Sequence, residues 1–202
     1  MRDYSKYKYI IGIDEVGRGP IAGPVAVGCV LYKKEEEEYL KEVLLGVRDS
    51  KKLTEKKRNN FFEKIKTEKE KGSLNYFVAF VESKKIDKFG IVPSIKACIE
   101  KSISEVTKNI SPQDCLVLLD GGLKASEEFK NQETIIKGDD KEMVISIASV
   151  VAKVRRDKVM CDFSLKFLDY GFEKHKGYGT KFHYEQIKKK GICQIHRLSY
   201  IH

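Results

Sequence analysis

The acidic residues best placed to do chemistry follow two apolar runs of the sequence. Asp14 and Glu15 come directly after residues 10–13, an apolar run of three β-branched isoleucines and one glycine that predicts a buried strand. Asp120 ends a second apolar run, residues 116–119. Because the carboxyl ends of parallel neighbouring strands lie side by side, we expect Asp120 to stand close to Asp14.

A glycine-rich turn follows the first acidic pair. Adjacent strand residues point to opposite faces, so Asp14 and Glu15 can serve one site only where the strand ends or bends. Gly17 and Gly19 permit backbone conformations that favour such a bend. They also leave the backbone free of side chains on either side of Arg18, which suits close approach by a phosphate or a sugar.

Carboxylates without histidine or cysteine partners predict an oxygen-lined metal site. The four histidines have no metal-type spacing, and the five scattered cysteines form no Cys-x-x-Cys pair. Such a site suits Mg²⁺ or Mn²⁺ and disfavours zinc. Two such ions about 4 Å apart can activate a water and stabilise the leaving oxygen of a phosphoryl displacement. Like charges this close repel, so the metals would hold the acids ionised together.

Composition favours a single soluble domain with a polyanionic partner. The 202 residues are 41% hydrophobic, enough for one real core. Lys and Arg number 39 against 30 for Asp and Glu, a net charge of +9 with a pI near 9.1, which suits nucleic acid first and an anionic membrane surface second. No apolar run approaches the ~20 residues that span a bilayer, and no signal-peptide core follows Met1. An odd number of cysteines favours reduced thiols, and we therefore expect a cytoplasmic protein.

Strands and helices are expected to alternate along the chain, which predicts an α/β domain. Strands are expected near residues 10–13, 24–32, 74–82, 116–119 and 132–137, the first two as an antiparallel hairpin. Helices are expected behind Thr54, over 83–108 in two pieces around Gly90 and Pro93, over 143–168, and from Thr180 to about 190. The acidic run 35–38 is either an exposed segment or the start of a short helix.

Asp-Glu-Val-Gly-Arg-Gly-Pro at residues 14–20 resembles, letter for letter, the bacterial form of the signature that opens the ribonuclease HII family. The resemblance extends over nearly the whole chain. It implies an α/β ribonuclease H-like fold, with a mixed central sheet of about five strands flanked by helices. Residues 1–170 would form the catalytic domain, and residues 171–202 a small C-terminal helical extension packed on it.

The resemblance also implies which residues hold metal. Asp14, Glu15 and Asp120 match the family's first three acids, and Asp139, in Lys-Gly-Asp at 137–139, matches the fourth. These residues would be both the catalytic and the metal-binding set, for Mg²⁺ or Mn²⁺. Asp139 or the neighbouring Asp140 could also cap the helix that follows.

Asp157 ranks below Asp139 as a metal-side acid. Ser149, Lys153 and Asp157 are spaced by four and share one helix face. A Lys153–Asp157 ion pair is the equally good structural interpretation. Ser149, in a helix block that resembles the family's, is a candidate substrate contact.

Five further substrate contacts follow from the resemblance. Gly17, Arg18 and Gly19 would recognise the 2′-hydroxyl that distinguishes RNA from DNA. In His-Lys-Gly-Tyr at residues 175–178, Tyr178 would stack on the deoxyribose beside the ribonucleotide and Lys176 would contact a phosphate.

The block Asp-Ser-Lys-Lys-Leu at residues 49–53 resembles a segment that touches the substrate backbone in the family. Lys51 and Lys52 are therefore candidate phosphate contacts. The charged residues that follow it, Lys56 to Arg58, are interpreted as a solvated helix face.

The activity implied is that of a monomeric endonuclease. It would cleave the RNA strand of RNA·DNA hybrids, and duplex DNA on the 5′ side of a single embedded ribonucleotide. Hydrolysis with two metal ions would leave a 3′-hydroxyl and a 5′-phosphate.

Three alternatives remain from the residues alone. Another nuclease of the same fold, a junction resolvase or ribonuclease HIII, would share the acids, but the ribonuclease HIII motif carries threonine where this chain has Arg18. A non-catalytic nucleic-acid-binding module would explain the charge but not the acids, which repel a polyanion unless metal intervenes. A nucleotide-binding α/β protein is disfavoured because the chain has neither a P-loop nor a Gly-x-Gly-x-x-Gly turn.

Overall fold

A five-stranded mixed sheet forms the centre of the computed structural model, which describes residues 4–47 and 53–201. Its strands are β1 Tyr9–Val16, β2 Val25–Lys33, β3 Leu74–Val81, β4 Cys115–Asp120 and β5 Gln132–Ile135. Their spatial order is β3-β2-β1-β4-β5. The first three strands pair antiparallel, whereas β4 lies parallel to both β1 and β5. The predicted hairpin, strand number and mixed sheet are confirmed.

Helices flank both faces of the sheet. They are α1 Glu37–Val43, α2 Glu55–Lys71, α3 Ser83–Phe89, α4 Ile91–Val106, α5 Gly138–Lys141, α6 Met143–Lys166, α7 Phe172–His175 and α8 Lys181–Lys190. Thr54 and Thr180 cap α2 and α8, because each hydroxyl accepts a hydrogen bond from the backbone N–H three residues on. The expected break between α3 and α4 falls at Gly90, where φ is +87°. Within the described ranges, no helix has both the length and the apolar character to cross a bilayer.

Side chains of β1 alternate between two cores. Ile10 packs with residues of α2 and α6 on one face, while Ile11 and Ile13 pack with α4 on the other. Successive strand residues point to opposite faces, so a strand covered on both sides must be apolar throughout. This explains the unbroken apolar run before Asp14.

Helix α6 lies directly against the backbone of β1 and β2. A Cβ atom at Gly12 would stand 2.4 Å from the backbone of Val144, and one at Gly28 would stand 2.4 Å from the Ala148 carbonyl oxygen. Gly28 is the β2 partner of Asp14. Because Gly12 and Gly28 have no side chains, α6 can lie close to the acidic end of the sheet.

The C-terminal segments pack against a third, smaller core. It joins Ala22 and Met160 to Tyr170, Phe172 and Ile195. The backbone of Ala22 also forms an isolated antiparallel bridge with His196. The division of the chain at residue 170 stays a prediction.

Two local expectations are wrong. β1 does not end before its acids: it runs through Val16 and pairs with β2 across both Asp14 and Glu15, so the bend comes later, at Gly17. Neither Asp139 nor Asp140 caps α6, whose N-cap position is Glu142. The short α5, which follows a left-handed turn at Lys137, intervenes.

Candidate active site

Three carboxylates converge at the edge of the sheet where β1 and β4 end. Asp14, Asp120 and Asp139 each offer an oxygen atom, and these atoms all lie within 4.8 Å of one another. Asp14 and Asp139 are buried, and Asp120 is half-buried. Two like unit charges at 4.8 Å repel by about 3.5 kcal/mol at an effective dielectric constant near 20. Three carboxylate ligands of this kind suit a hard divalent cation.

Strand register and a tight turn bring the three acids together. The parallel pairing of Ile13 with Leu119 sets the next residues, Asp14 and Asp120, side by side. The backbone N–H of Gly138 donates to Asp120 Oδ1 at 2.7 Å. A Cβ atom at Gly138 would stand 2.6 Å from the end of the Ile145 side chain, so glycine allows this approach without displacing Ile145. The hydrogen bond from Gly138 orients Asp120, and it places the next residue, Asp139, beside it.

Glu15 lies outside this group of three. Because β1 stays extended past it, strand geometry turns its side chain away from that of Asp14. Its carboxylate stands 3.8 Å from Arg18 Nη1. Glu15 still lines the same cavity, and its role as a metal ligand stays a prediction.

A cavity of about 350 Å³ opens beside the acids. Most of the predicted substrate contacts line this cavity. Two cationic side chains that were not predicted as contacts, Arg58 and Lys153, line it as well. Its lining comprises Asp14, Glu15, Val16, Gly17, Arg18, Gly19, Arg58, Asp120, Ser149, Lys153 and Tyr178.

The two additional cations reach the cavity from α2 and α6. Arg58 was interpreted as part of a solvated face, but it lines the cavity and its guanidinium donates to the Leu53 carbonyl. Lys153 donates to Asp157 at 2.9 Å, which confirms that helix pair. The four-residue spacing from Ser149 was the signal that could have pointed to Lys153.

One of the three predicted phosphate contacts, Lys176, lies outside the cavity. Lys176 is only 8% exposed, and its ammonium donates to the Glu173 carbonyl and to Cys161 Sγ. The cavity lining does not include it. Lys51 and Lys52 lie outside the described residues.

The two glycines around Arg18 have different surroundings. Gly17 has a φ of +87°, and a Cβ atom there would stand 2.1 Å from Nε of the buried Arg156. Gly19 has open space around it: the nearest atom to its Cβ position is Cε1 of Tyr178, at 4.0 Å. Gly17 thus serves internal packing, whereas Gly19 lies in open space beside the Tyr178 ring.

A chain of neutral histidines holds the segment that carries Tyr178. The Cys193 N–H donates to His196 Nδ1 at 2.8 Å, and the two Nε2 atoms of His196 and His183 are 3.1 Å apart. His183 Nδ1 lies 2.9 Å from the Tyr178 carbonyl oxygen. These contacts are all satisfied when each ring carries one proton, on His196 Nε2 and on His183 Nδ1. Burial lowers the pKa of His183 from 6.5 to about 4 and lowers that of His196 as well.

We expect thermal stability to fall as the pH drops from 6.5 toward 4, the unfolded and folded pKa values of His183. The unfolded chain takes up this proton first, so the stability that neutral His183 contributes is present above 6.5 and lost below it. The slope for one proton is at most about 1.4 kcal/mol per pH unit. Melting curves of the wild type and His183→Gln from about pH 7.5 to about pH 4.5 measure it. The variant should lose less stability over this interval, and an equal loss in both proteins would contradict the assignment.

The chain resembles known proteins in both sequence and structure. The family model described as ribonuclease HII matches residues 11–202. Ribonuclease HII of Caldicellulosiruptor bescii is 44% identical over 195 residues, covering 96% of this chain and 87% of the relative. That of Clostridioides difficile is 42% identical and covers 96% and 71%.

Two solved structures share the fold. Ribonuclease H2 from Pyrococcus horikoshii OT3 aligns with a TM-score of 0.73 at 24% identity, covering 95% of this chain and 93% of that one. Bst-RNase HIII in complex with Mn²⁺ aligns with a TM-score of 0.75 at 16% identity, covering 97% and 68%. At these identities the structural likeness shows the ribonuclease H-like fold alone.

Proposed function

The chain belongs to the ribonuclease HII family of metal-dependent endonucleases, which act on the RNA strand of RNA·DNA hybrids, and we propose that it also cuts duplex DNA beside a single ribonucleotide. The cut falls on the 5′ side of that ribonucleotide. Water attacks the phosphorus and the bond to the 3′ oxygen breaks, leaving a 3′-hydroxyl and a 5′-phosphate. The observation that carries this proposal is that Asp14 and Asp120, two of the three clustered acids, line one cavity together with the Gly17–Gly19 loop.

The acids provide the metal site of this proposal. Asp14, Asp120 and Asp139 hold the divalent ions, with Glu15 as a fourth ligand from the cavity wall. When bound, a pair of Mg²⁺ or Mn²⁺ ions supplies an activated water and charge stabilisation at the leaving oxygen. The Gly138 N–H holds one oxygen of Asp120 in place for this role.

The cavity wall provides the substrate contacts. Backbone groups of the Gly17–Gly19 loop recognise the 2′-hydroxyl, and the Tyr178 ring stacks on the neighbouring deoxyribose. Arg18 and Lys153 place positive charge beside the scissile phosphate, and the Ser149 hydroxyl is a further donor. Lys51 and Lys52 complete the predicted contacts to the backbone of the duplex.

Metal removal tests the proposal against a non-catalytic binding module. We expect excess chelator to abolish cleavage of a labelled RNA·DNA hybrid and Mg²⁺ or Mn²⁺ to restore it, because the acids act only through bound cations. Hybrid binding, measured by fluorescence anisotropy in the same chelator, is the control and should persist. Binding without cleavage under every metal condition would identify a binding module instead.

The cellular setting belongs to the same proposal. All five cysteines lie in the described ranges and are free thiols, which supports a reducing compartment such as the cytoplasm. We infer a monomer, with residues 171–202 forming an extension of the catalytic domain rather than an independent unit.

A further inference from the structure

A fully buried arginine from the C-terminal segment contacts the Gly17–Gly19 loop. The guanidinium of Arg197 donates to the carbonyl oxygens of Gly17 at 2.7 Å, Arg18 at 3.1 Å and Gly23 at 2.9 Å. Arg197 has no exposed surface. Its backbone N–H also donates to the Ile21 carbonyl at 2.8 Å. One residue thus binds four backbone carbonyls of the segment that follows β1.

Carbonyl oxygens and the side chain of Tyr200, whose ring centroid lies 5.2 Å from the guanidinium carbon, surround this buried charge in place of carboxylates. In the part of the chain that the structure describes, Arg197 forms no ion pair with an acid. Burying a guanidinium is costly unless every donor direction is used. An apolar side chain would fill the same volume at lower cost, so the arginine is explained by what its donors hold in place.

Peptide geometry converts these contacts into an arrangement of donors. The C=O of one residue and the N–H of the next share a plane and point in opposite directions across a trans bond, and the described residues contain no cis peptide. With the Gly17 and Arg18 carbonyls turned inward to Arg197, the N–H groups of Arg18 and Gly19 must point outward. Both residues line the cavity beside the acids.

These two N–H groups have no protein acceptor within residues 4–47 and 53–201. Backbone donors are rarely left unpaired. Consecutive N–H groups at a cavity wall can bind an oxygen atom of a ligand. The cationic Arg197 polarises the carbonyl groups of the same peptides, which makes these N–H groups stronger donors.

We propose that Arg197 is a positioning residue: it fixes the two peptide planes so that the Arg18 and Gly19 N–H groups point at substrate oxygens. The proposal rests on the role given to this loop under the proposed function. It adds that a residue 179 positions from Arg18, in a segment beyond α8, belongs to the recognition site.

Two variants of Arg197 and one matched control test the proposal. Arg197→Met keeps the length of the side chain but removes all donors, and Arg197→Lys keeps the charge and a donor. Asp87→Ala is the control, because Asp87 accepts hydrogen bonds from the backbone of Leu198 and Ser199 at 3.0 Å each. It therefore loosens the same segment without touching the loop carbonyls.

The expected result is a loss in kcat with little change in binding. On a duplex with one ribonucleotide, Arg197→Met should lower kcat by roughly 100-fold, in the range seen when one hydrogen-bond donor to a transition-state oxyanion is removed, and Arg197→Lys should recover part of it. Affinity for an all-DNA duplex of the same sequence should stay within about twofold, because phosphate contacts dominate it. Asp87→Ala should change kcat less than about threefold at a comparable loss of melting temperature.

Three other outcomes are distinguishable from the expected one. An equal loss of kcat in Asp87→Ala would make Arg197 merely structural. If Arg197→Met fails to fold, glycine-selective ¹H–¹⁵N spectra of Arg197→Lys and the wild type are compared instead. A shifted Gly19 amide resonance in the variant supports the proposal. An unchanged Gly19 resonance together with an unchanged kcat contradicts it. If the wild type does not cut at a single ribonucleotide, the proposed function fails separately, and the same variants are compared on a long RNA·DNA hybrid.

Discussion

Asp14→Asn should lower the rate of hybrid cleavage by at least roughly 1,000-fold, equivalent to about 4 kcal/mol of transition-state stabilisation. Asp14 is buried and lies in the group of three carboxylates whose oxygens are within 4.8 Å of one another. Asparagine keeps the size of the side chain but removes one anionic ligand from the site. Single-turnover cleavage of a labelled hybrid at saturating enzyme measures the effect.

Stability and binding distinguish this loss from misfolding. Removing one of three mutually repelling charges should leave the melting temperature in chelator equal or higher, and the rise in melting temperature that Mg²⁺ or Mn²⁺ gives the wild type should shrink. Hybrid affinity should stay within about threefold. The control is Asp140→Asn, an exposed acid of α5 outside the group of three, which should cleave normally. Near-normal turnover by Asp14→Asn would refute the metal assignment.

Tyr178→Ala should reduce cleavage at a single embedded ribonucleotide by roughly 10- to 100-fold, by analogy with the about 1–3 kcal/mol that an aromatic ring contributes when it stacks on a nucleic-acid base. The Tyr178 ring is 46% exposed at the cavity, and the empty Cβ position of Gly19 leaves 4.0 Å beside it. A long hybrid offers the enzyme ribose on both sides of many cleavable bonds. Its cleavage should therefore fall much less.

Parallel rate measurements on the two substrates give the ratio that matters. Tyr178→Phe keeps the ring and should keep the rate. Tyr184→Ala is the matched control, because Tyr184 is 44% exposed but does not line the cavity. Equal losses of Tyr178→Ala on both substrates would count against a role in recognising the junction.

The sheet and its acidic edge were predictable because their causes are local in the sequence. A strand covered on both faces must be apolar along its length, and the runs before Asp14 and Asp120 have this pattern. The glycine turn and the threonine caps follow from backbone geometry that few other residues satisfy. Parallel register then brings Asp14 beside Asp120 without further information.

Other features depend on contacts that no local pattern contains. Nothing in the sequence around Lys176 shows that its ammonium is used by Glu173 and Cys161 instead of facing the cavity. The position of Glu15 depends on whether β1 bends before or after it, which is decided by pairing with β2. The contact of Arg197 with Gly17 spans 180 positions of sequence and becomes visible only in three dimensions.

The most direct test of the proposed activity uses a labelled DNA duplex that carries one ribonucleotide, with Mg²⁺, Mn²⁺ or chelator, and maps the product ends. We predict one cut immediately 5′ of the ribonucleotide, with 3′-hydroxyl and 5′-phosphate ends, lost on chelation and restored by metal. Cleavage only within runs of several ribonucleotides would contradict recognition of a single 2′-hydroxyl by the Gly17–Gly19 loop, and cleavage that persists in chelator would contradict the metal site.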